Sequence, residues 1–167
     1  ITVSYFTPDK RRIIFDNDLL HLSKHRWEEA LPLSIEVAGP REMIYFDPPK
    51  TKAAIVTCGG LCPGINDVIR AIVMELYHRY GVKNILGIKY GFQGLIPSYG
   101  HEVLVLTPEL IKDIHAVGGS ILSSSRGKQD IAEIVNVLKR MNIDILFCIG
   151  GDGTMRATEL ITEEISR

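Results

Sequence analysis

The stretch Lys52-Ala53-Ala54-Ile55-Val56-Thr57-Cys58-Gly59-Gly60-Leu61-Cys62-Pro63-Gly64-Ile65-Asn66 opens on a short apolar run and stops at a glycine pair. Continuous apolarity over so few residues fits a strand covered on both faces, as in a parallel sheet. Downstream, Ile69, Ile72, Val73, Leu76, Tyr77 and Tyr80 recur at the spacing of one helix face, and Gly81 ends the pattern. Asn84-Ile85-Leu86-Gly87-Ile88 reads as the next strand. Strand, glycine turn, amphipathic helix and strand together make one βαβ unit.

The same alternation continues toward the C-terminus. After the glycine-punctuated loop Gly91-Phe92-Gln93-Gly94, Thr107-Pro108-Glu109 supplies a cap with proline at the first helical position. That helix is expected to carry Leu110, Ile111 and Ile114 and to end at Gly118-Gly119. Ser120-Ile121-Leu122 suggests a short strand. Asp130 with Glu133 resembles a capping box ahead of a stripe formed by Ile131, Ile134, Val135 and Leu138. Residues Ile143 to Ile149 read as another buried strand, and a glycine turn opens a last helix from about Met155. The fold class expected is α/β, a Rossmann-like three-layer arrangement with a mostly parallel sheet. Residues 1–50 differ: Pro8, Pro32, Pro40, Pro48 and Pro49 interrupt them, with extended pieces expected at Arg12–Phe15 and Met43–Phe46. They read as an irregular N-terminal extension, bounded by Pro48-Pro49, ahead of an α/β domain over 51–167.

Bulk properties exclude several classes. Of 167 residues, 46% are hydrophobic and 23% charged, with a formal net charge of -1, so disorder and a coiled coil are poor readings. No basic run exceeds Lys10-Arg11-Arg12, which argues against nucleic acid as a partner. No apolar stretch approaches the ~20 residues of a membrane span. The first residues show no secretory signal pattern and no initiator Met, so a longer product is expected. Cys58, Cys62 and Cys148 contain no CxxC pair, which points to a reducing, cytoplasmic compartment. No second ligand pair completes a zinc site with Cys58 and Cys62. His21 and His25 lack the carboxylate of an HExxH motif.

Two glycine turns carry the chemistry, each between a strand's end and a helix: Gly59-Gly60-Leu61-Cys62-Pro63-Gly64-Ile65-Asn66 and Gly150-Gly151-Asp152-Gly153-Thr154. Open α/β sheets bind ligands at such places, because helix N-termini present free N–H groups and positive dipole ends. Neither turn is a Walker A loop or a GxGxxG fingerprint. Asp152 reads either as a carboxylate holding Mg²⁺ against ligand phosphates, with the Thr154 hydroxyl beside it, or as a helix cap. Arg126, in Ser123-Ser124-Ser125-Arg126-Gly127, reads either as a solvated surface charge or as a planar fork for phosphates. His115 and Trp27 read as structural.

In order and wording, Ile55 to Arg70 with its CGG-x-CPG-x-N core, Tyr90-Gly91-Phe92-Gln93-Gly94-Leu95, Ile114-His115, Gly118-Gly119, Ser124-Ser125-Arg126-Gly127 and Gly150 to Thr154 resemble the 6-phosphofructokinase family. The likeness is to its ATP-dependent plant, kinetoplastid and related bacterial branch, and it spans residues 51–167. NAD kinases and lipid kinases share a GGDG turn but lack the first turn and the SSRG loop.

The resemblance implies the nucleotide-binding half of the phosphofructokinase fold. It further implies Mg²⁺-dependent transfer of the ATP γ-phosphoryl to the 1-hydroxyl of fructose 6-phosphate, a step of glycolysis. Gly59 and Gly60 would approach the donor phosphates. Arg126 and Gly127 would bracket the nucleotide, Arg126 also acting catalytically on the charge of the transferred group. Gly151, Asp152, Gly153 and Thr154 would form the second phosphate turn, with Asp152 on the metal. Aspartate in place of Gly153 is associated in the family with pyrophosphate as donor, so Gly153 implies ATP. The family's catalytic base, in a Thr-Ile-Asp-Asn-Asp stretch, lies past Arg167, as do the sugar-phosphate contacts, so this piece alone is expected to be inactive. The full-length protein is expected to be a cytoplasmic, allosteric homo-oligomer, dimer or tetramer. The alternatives are a pyrophosphate-dependent phosphofructokinase and a non-catalytic nucleotide-sensing subunit on the same scaffold.

Overall fold

The computed structural model describes residues 6–24 and 34–167; the side chain of His21, and all of His25 and Trp27, fall outside that description. The chain divides into two compact units, Ile1–Tyr45 and Phe46–Arg167. In the first, strand β1 (Arg12–Ile14) pairs antiparallel with β2 (Ser34–Glu36), placing Ile13 opposite Ile35, and helix α1 covers Leu19–Lys24. Among the described residues no strand forms at Met43–Phe46, where Met43 and Tyr45 are exposed. The Arg41 guanidinium organises the preceding loop instead, donating to the carbonyls of Thr7, Pro8 and Val37 at 2.9, 3.1 and 2.7 Å.

The second unit is built on β3 (Lys52–Thr57), whose six residues include five that are fully buried. Helix α2 (Ile65–Met74) follows, runs on through a wider turn over Glu75–Tyr80 and stops at Gly81. Strand β4 (Asn84–Ile88) lies parallel to β3, and β5 (Val103–Val105) lies antiparallel to β4. Helix α3 (Pro108–Ile111), helix α4 (Ile131–Met141), strand β6 (Ile145–Ile149) and helix α5 (Asp152–Ile165) complete the chain. The sheet order is β5-β4-β3-β6, with β6 parallel to β3.

Alternation along β3 makes the three layers. Ala53 and Ile55 pack with Ile65, Ile69 and Val73 of α2 on one face. Ala54 and Val56 pack with Ile134, Val135 and Leu138 of α4 and Ile161 of α5 on the other. Burying strand residues on both faces is what a continuous apolar run requires.

Within the second unit the structure departs from the sequence reading in four further places. Ser120–Leu122 is a turn: the Ser120 hydroxyl accepts from Leu122 N–H (3.2 Å), and Ser123 N–H donates to the Ser120 carbonyl (3.0 Å), a local alternative to strand pairing. Helix α3 has the expected cap, the Thr107 hydroxyl accepting from Leu110 N–H, but breaks after Ile111 and resumes as a 3₁₀ turn at Ile114–Ala116. The sequence reading assigns no strand to β5, although Val103-Leu104-Val105-Leu106 is a short apolar run. Strand β6 starts at Ile145 and is only half-buried throughout, because β3 is its one hydrogen-bonded neighbour among the described residues.

Asn66 is 3% exposed. Its amide donates to the Val117 carbonyl at 2.8 Å and its oxygen accepts from Ile121 N–H at 2.9 Å, fixing the start of α2 to the segment after α3. Asn66→Ala leaves both backbone groups unpaired and is expected to cost about 2–3 kcal/mol. The measure is the midpoint of urea unfolding at unchanged m-value. A loss below about 1 kcal/mol would remove Asn66 from this role.

Candidate nucleotide-binding cleft

After β3 the chain crosses to β4 on one side, and the later strand β6 pairs on the other, so the order reverses between β3 and β6. Connections leave such a switch point in opposite directions and open a crevice beyond the strands' C-terminal ends. Both glycine turns are there. Thr57 lies opposite Ile149, and Cys58 N–H donates to the Ile149 carbonyl at 2.9 Å. The first turn therefore starts beside the second.

A third segment is tied to the same spot. The Thr57 hydroxyl donates to the Ser123 carbonyl at 2.6 Å, and the Ser124 hydroxyl donates to the Gly59 carbonyl at 2.6 Å. Gly59 N–H donates to the Ser125 carbonyl at 3.3 Å. These contacts bring Arg126 alongside the first turn, its guanidinium 4.0 Å from where a Cβ on Gly60 would stand. Gly150 is held by close packing: a Cβ there would overlap the Thr154 side chain and lie 2.8 Å from the Cys58 carbonyl.

Together the segments enclose a cleft of about 740 Å³. Gly59, Gly60, Arg126, Gly127, Gly151, Gly153 and Thr154, all singled out in the sequence, line it. Asp152 does not; it is the exposed first residue of α5, between two lining glycines. Gly151 caps that helix, its carbonyl accepting from Thr154 and Met155 N–H at 2.9 and 3.0 Å. Ahead of those bonds, the Asp152 and Gly153 N–H groups have no acceptor within the helix, and its positive dipole end lies at the cleft. His115 sits in an exposed turn and is not part of the lining.

Sequence reasoning missed the rest of the wall. Phe92, Ile131, Ile134, Ala157 and Leu160 give it an apolar side, while Lys128 and Arg156 join Arg126 as cations. Among the described residues, none of these three cations has a hydrogen bond or ion pair. Helical spacing from Gly153 marks Ala157 and Leu160 as sharing its face, a signal available only once the helix start is known. Cys58 is 8% exposed, and burial pushes its thiol up to about 11. Among the described residues no three His, Cys, Asp or Glu side chains gather. Asp152, exposed and without an ion-pair partner, has the hard oxygen chemistry Mg²⁺ takes when ligand phosphates supply the remainder.

The cleft combines helix-terminal N–H groups, glycine turns and unpaired cations with an apolar wall, features whose chemistry suits a phosphorylated ligand. The phosphofructokinase family model matches residues 52–167, and the chain belongs to that family. It is 50% identical over 164 residues to the ATP-dependent 6-phosphofructokinase of Borreliella burgdorferi, covering 98% of this chain and 36% of that one. It is 41% identical over 176 residues to the enzyme of that name from Trypanosoma cruzi, with coverage again 98% and 36%. The Arabidopsis thaliana ATP-dependent 6-phosphofructokinase 4, chloroplastic, is 50% identical over 130 residues, 78% of this chain and 24% of that one. The chain thus spans about a third of the length of the curated relatives it matches. Phosphofructokinase of Pichia pastoris in the T-state superposes with a TM-score of 0.63 at 26% identity, over 78% of this chain and 14% of that one.

Gly150→Ala and Gly153→Ala form a matched pair. The first overlaps Thr154 and crowds the Cys58 carbonyl and is expected to destabilise by about 1–3 kcal/mol. The second meets nothing within 4 Å, and in a helix it is expected to be neutral or to stabilise by up to about 1 kcal/mol. Thermal and urea melts of both check this; equal effects would contradict the packing. A further expectation concerns thiols: with Cys58 buried and its ionisation suppressed, iodoacetamide at pH 8 labels exposed Cys62 and spares Cys58 until the chain unfolds. Peptide mapping before and after denaturation reads this directly.

Proposed function

We propose that the full-length protein is an ATP-dependent 6-phosphofructokinase and that residues 51–167 carry its donor site, preceded by an extension over residues 1–50. The observation that carries this reading is the meeting of Gly59-Gly60, Arg126-Gly127, and Gly151, Gly153 and Thr154 around one cleft with unpaired cations. The triphosphate lies along the two glycine turns, where backbone N–H groups and the α5 dipole meet its charge, and the base packs on the apolar wall at Phe92 and Leu160.

Phosphoryl transfer asks little covalent chemistry of the protein, so positioning and charge neutralisation dominate. The oxygen of the sugar 1-hydroxyl attacks the γ-phosphorus, the bond to the β,γ-bridging oxygen breaks, and ADP leaves. The hydroxyl proton passes to a carboxylate outside residues 1–167. Arg126 offsets charge on the group in flight. Asp152 would hold Mg²⁺, which neutralises phosphate charge when bound. Open space at Gly153 admits the nucleotide beyond its β-phosphate. Among the described residues no helix is long and apolar enough to cross a membrane. A homo-oligomer acting in the cytoplasm completes the proposal, although the Arabidopsis relative is named chloroplastic.

The test is a coupled assay on the full-length protein with fructose 6-phosphate and Mg²⁺, comparing ATP with pyrophosphate. Turnover with ATP alone is the expected result. Turnover with pyrophosphate alone would overturn the donor assignment, and none with either donor would favour a nucleotide-sensing subunit. Arg126→Ala is expected to lower kcat by about 10²–10³-fold, as for loss of a charge-stabilising donor.

A further inference from the structure

Arg156 is one turn into α5, on the lining of the cleft, and its position allows ordinary helix-surface partners. Asp152 precedes it by four residues, with the acid N-terminal to the base, and Glu159 follows by three. Both spacings bring side chains within reach, and acid before base at four residues is the favoured order. Neither pair forms: among the described residues Arg156 has no ion pair or hydrogen bond. Its side chain borders the cleft instead.

Its place along the helix is specific. Gly153 precedes it at the phosphate turn, and Ala157 and Leu160 follow it on the apolar wall. Three residues of helix amount to about 4.5 Å of axial rise, so Arg156 stands where a phosphate-binding end gives way to a base-binding side. A ligand filling both ends puts its nucleoside-proximal phosphate at that junction. A planar guanidinium suits that group, since two parallel N–H donors meet two phosphate oxygens at once. Lys128, on the segment after Gly127, is a second unpaired cation on the lining and supplies a point charge without that geometry.

We infer that Arg156 is a specificity-determining residue that grips the α-phosphate of a nucleotide donor, so that ATP is preferred over pyrophosphate by an attractive contact as well as by the open space at Gly153. The inference rests on the donor-site reading above. Pyrophosphate, which has no nucleoside-proximal phosphate, does not engage Arg156, whereas ADP, with the same number of phosphoryl groups, does.

The experiment is calorimetric titration of the full-length protein, wild type and Arg156→Ala, with MgADP and separately with magnesium pyrophosphate, accompanied by steady-state kinetics. ADP affinity is expected to fall about 10–100-fold in Arg156→Ala, the range for losing a charge-assisted contact, with pyrophosphate affinity changed less than about threefold. Arg156→Lys is expected to restore part of the loss. In turnover, the change is expected in the KM for ATP, with kcat and the KM for fructose 6-phosphate moving far less. Equal weakening of both ligands, or ADP affinity within about twofold of wild type, would overturn the assignment. The binding arm separates the two levels of inference. Wild-type protein that binds ADP but shows no phosphofructokinase turnover defeats the proposed activity, and ADP loss in Arg156→Ala would still support the assignment. Wild-type protein that binds no ADP defeats both.

Discussion

Everything in the cleft depends on how the C-terminal end of β3 is anchored. Thr57 pairs across the sheet with Ile149 and, through its hydroxyl, holds the Ser123 carbonyl. Gly59 bonds the following loop in both directions, accepting from Ser124 and donating to Ser125. One buried strand end therefore gathers segments that are far apart in sequence. Because hydrogen bonds in a dry setting are expensive to leave unmade, the arrangement has few alternatives. Asn66 extends the anchorage to the far side of the first turn.

Much of this was legible in the sequence, for identifiable reasons. The β3 run and the α4 stripe carry strong periodicity, and the Asp130 cap, seen as 2.9 Å between Glu133 N–H and the Asp130 carboxylate, is a local signal that local structure satisfies. The glycine turns announce themselves because few other residues tolerate such close backbone approach. What failed was short or non-local. Strand β5 has only three residues and owes its existence to pairing with β4. The turn at Ser120 follows from serine hydroxyls competing for backbone groups, where an apolar pair suggested a strand. Lys128, Arg156 and Phe92 could not be assigned to the cleft from sequence spacing, since their convergence depends on packing between elements distant in the chain.

The electrostatics follow from the same geometry. Arg126, Lys128 and Arg156 border one cavity without counter-charges among the described residues, next to the positive end of α5. Like charges held together this way gain nothing from one another in the free protein, and they raise the local potential for an incoming anion. Some basic residues elsewhere are paired, as Arg79 is with Glu75 at 3.1 Å and Arg167 with Glu164 at 3.1 Å, while Lys89, Lys139 and Arg140 are not, among the described residues.

Cys58 belongs at once to the core that packs against α4 and to the cleft's lining. The cavity therefore exists only while the core is intact, and an unfolded chain offers its ligand nothing comparable. By linkage, a nucleotide at about one hundred times its dissociation constant adds about 2.7 kcal/mol to the folded state. On the proposed donor-site reading, the adenylate pool would act on this protein as a folding ligand, and an empty cleft would shorten the protein's lifetime as well as slow its chemistry.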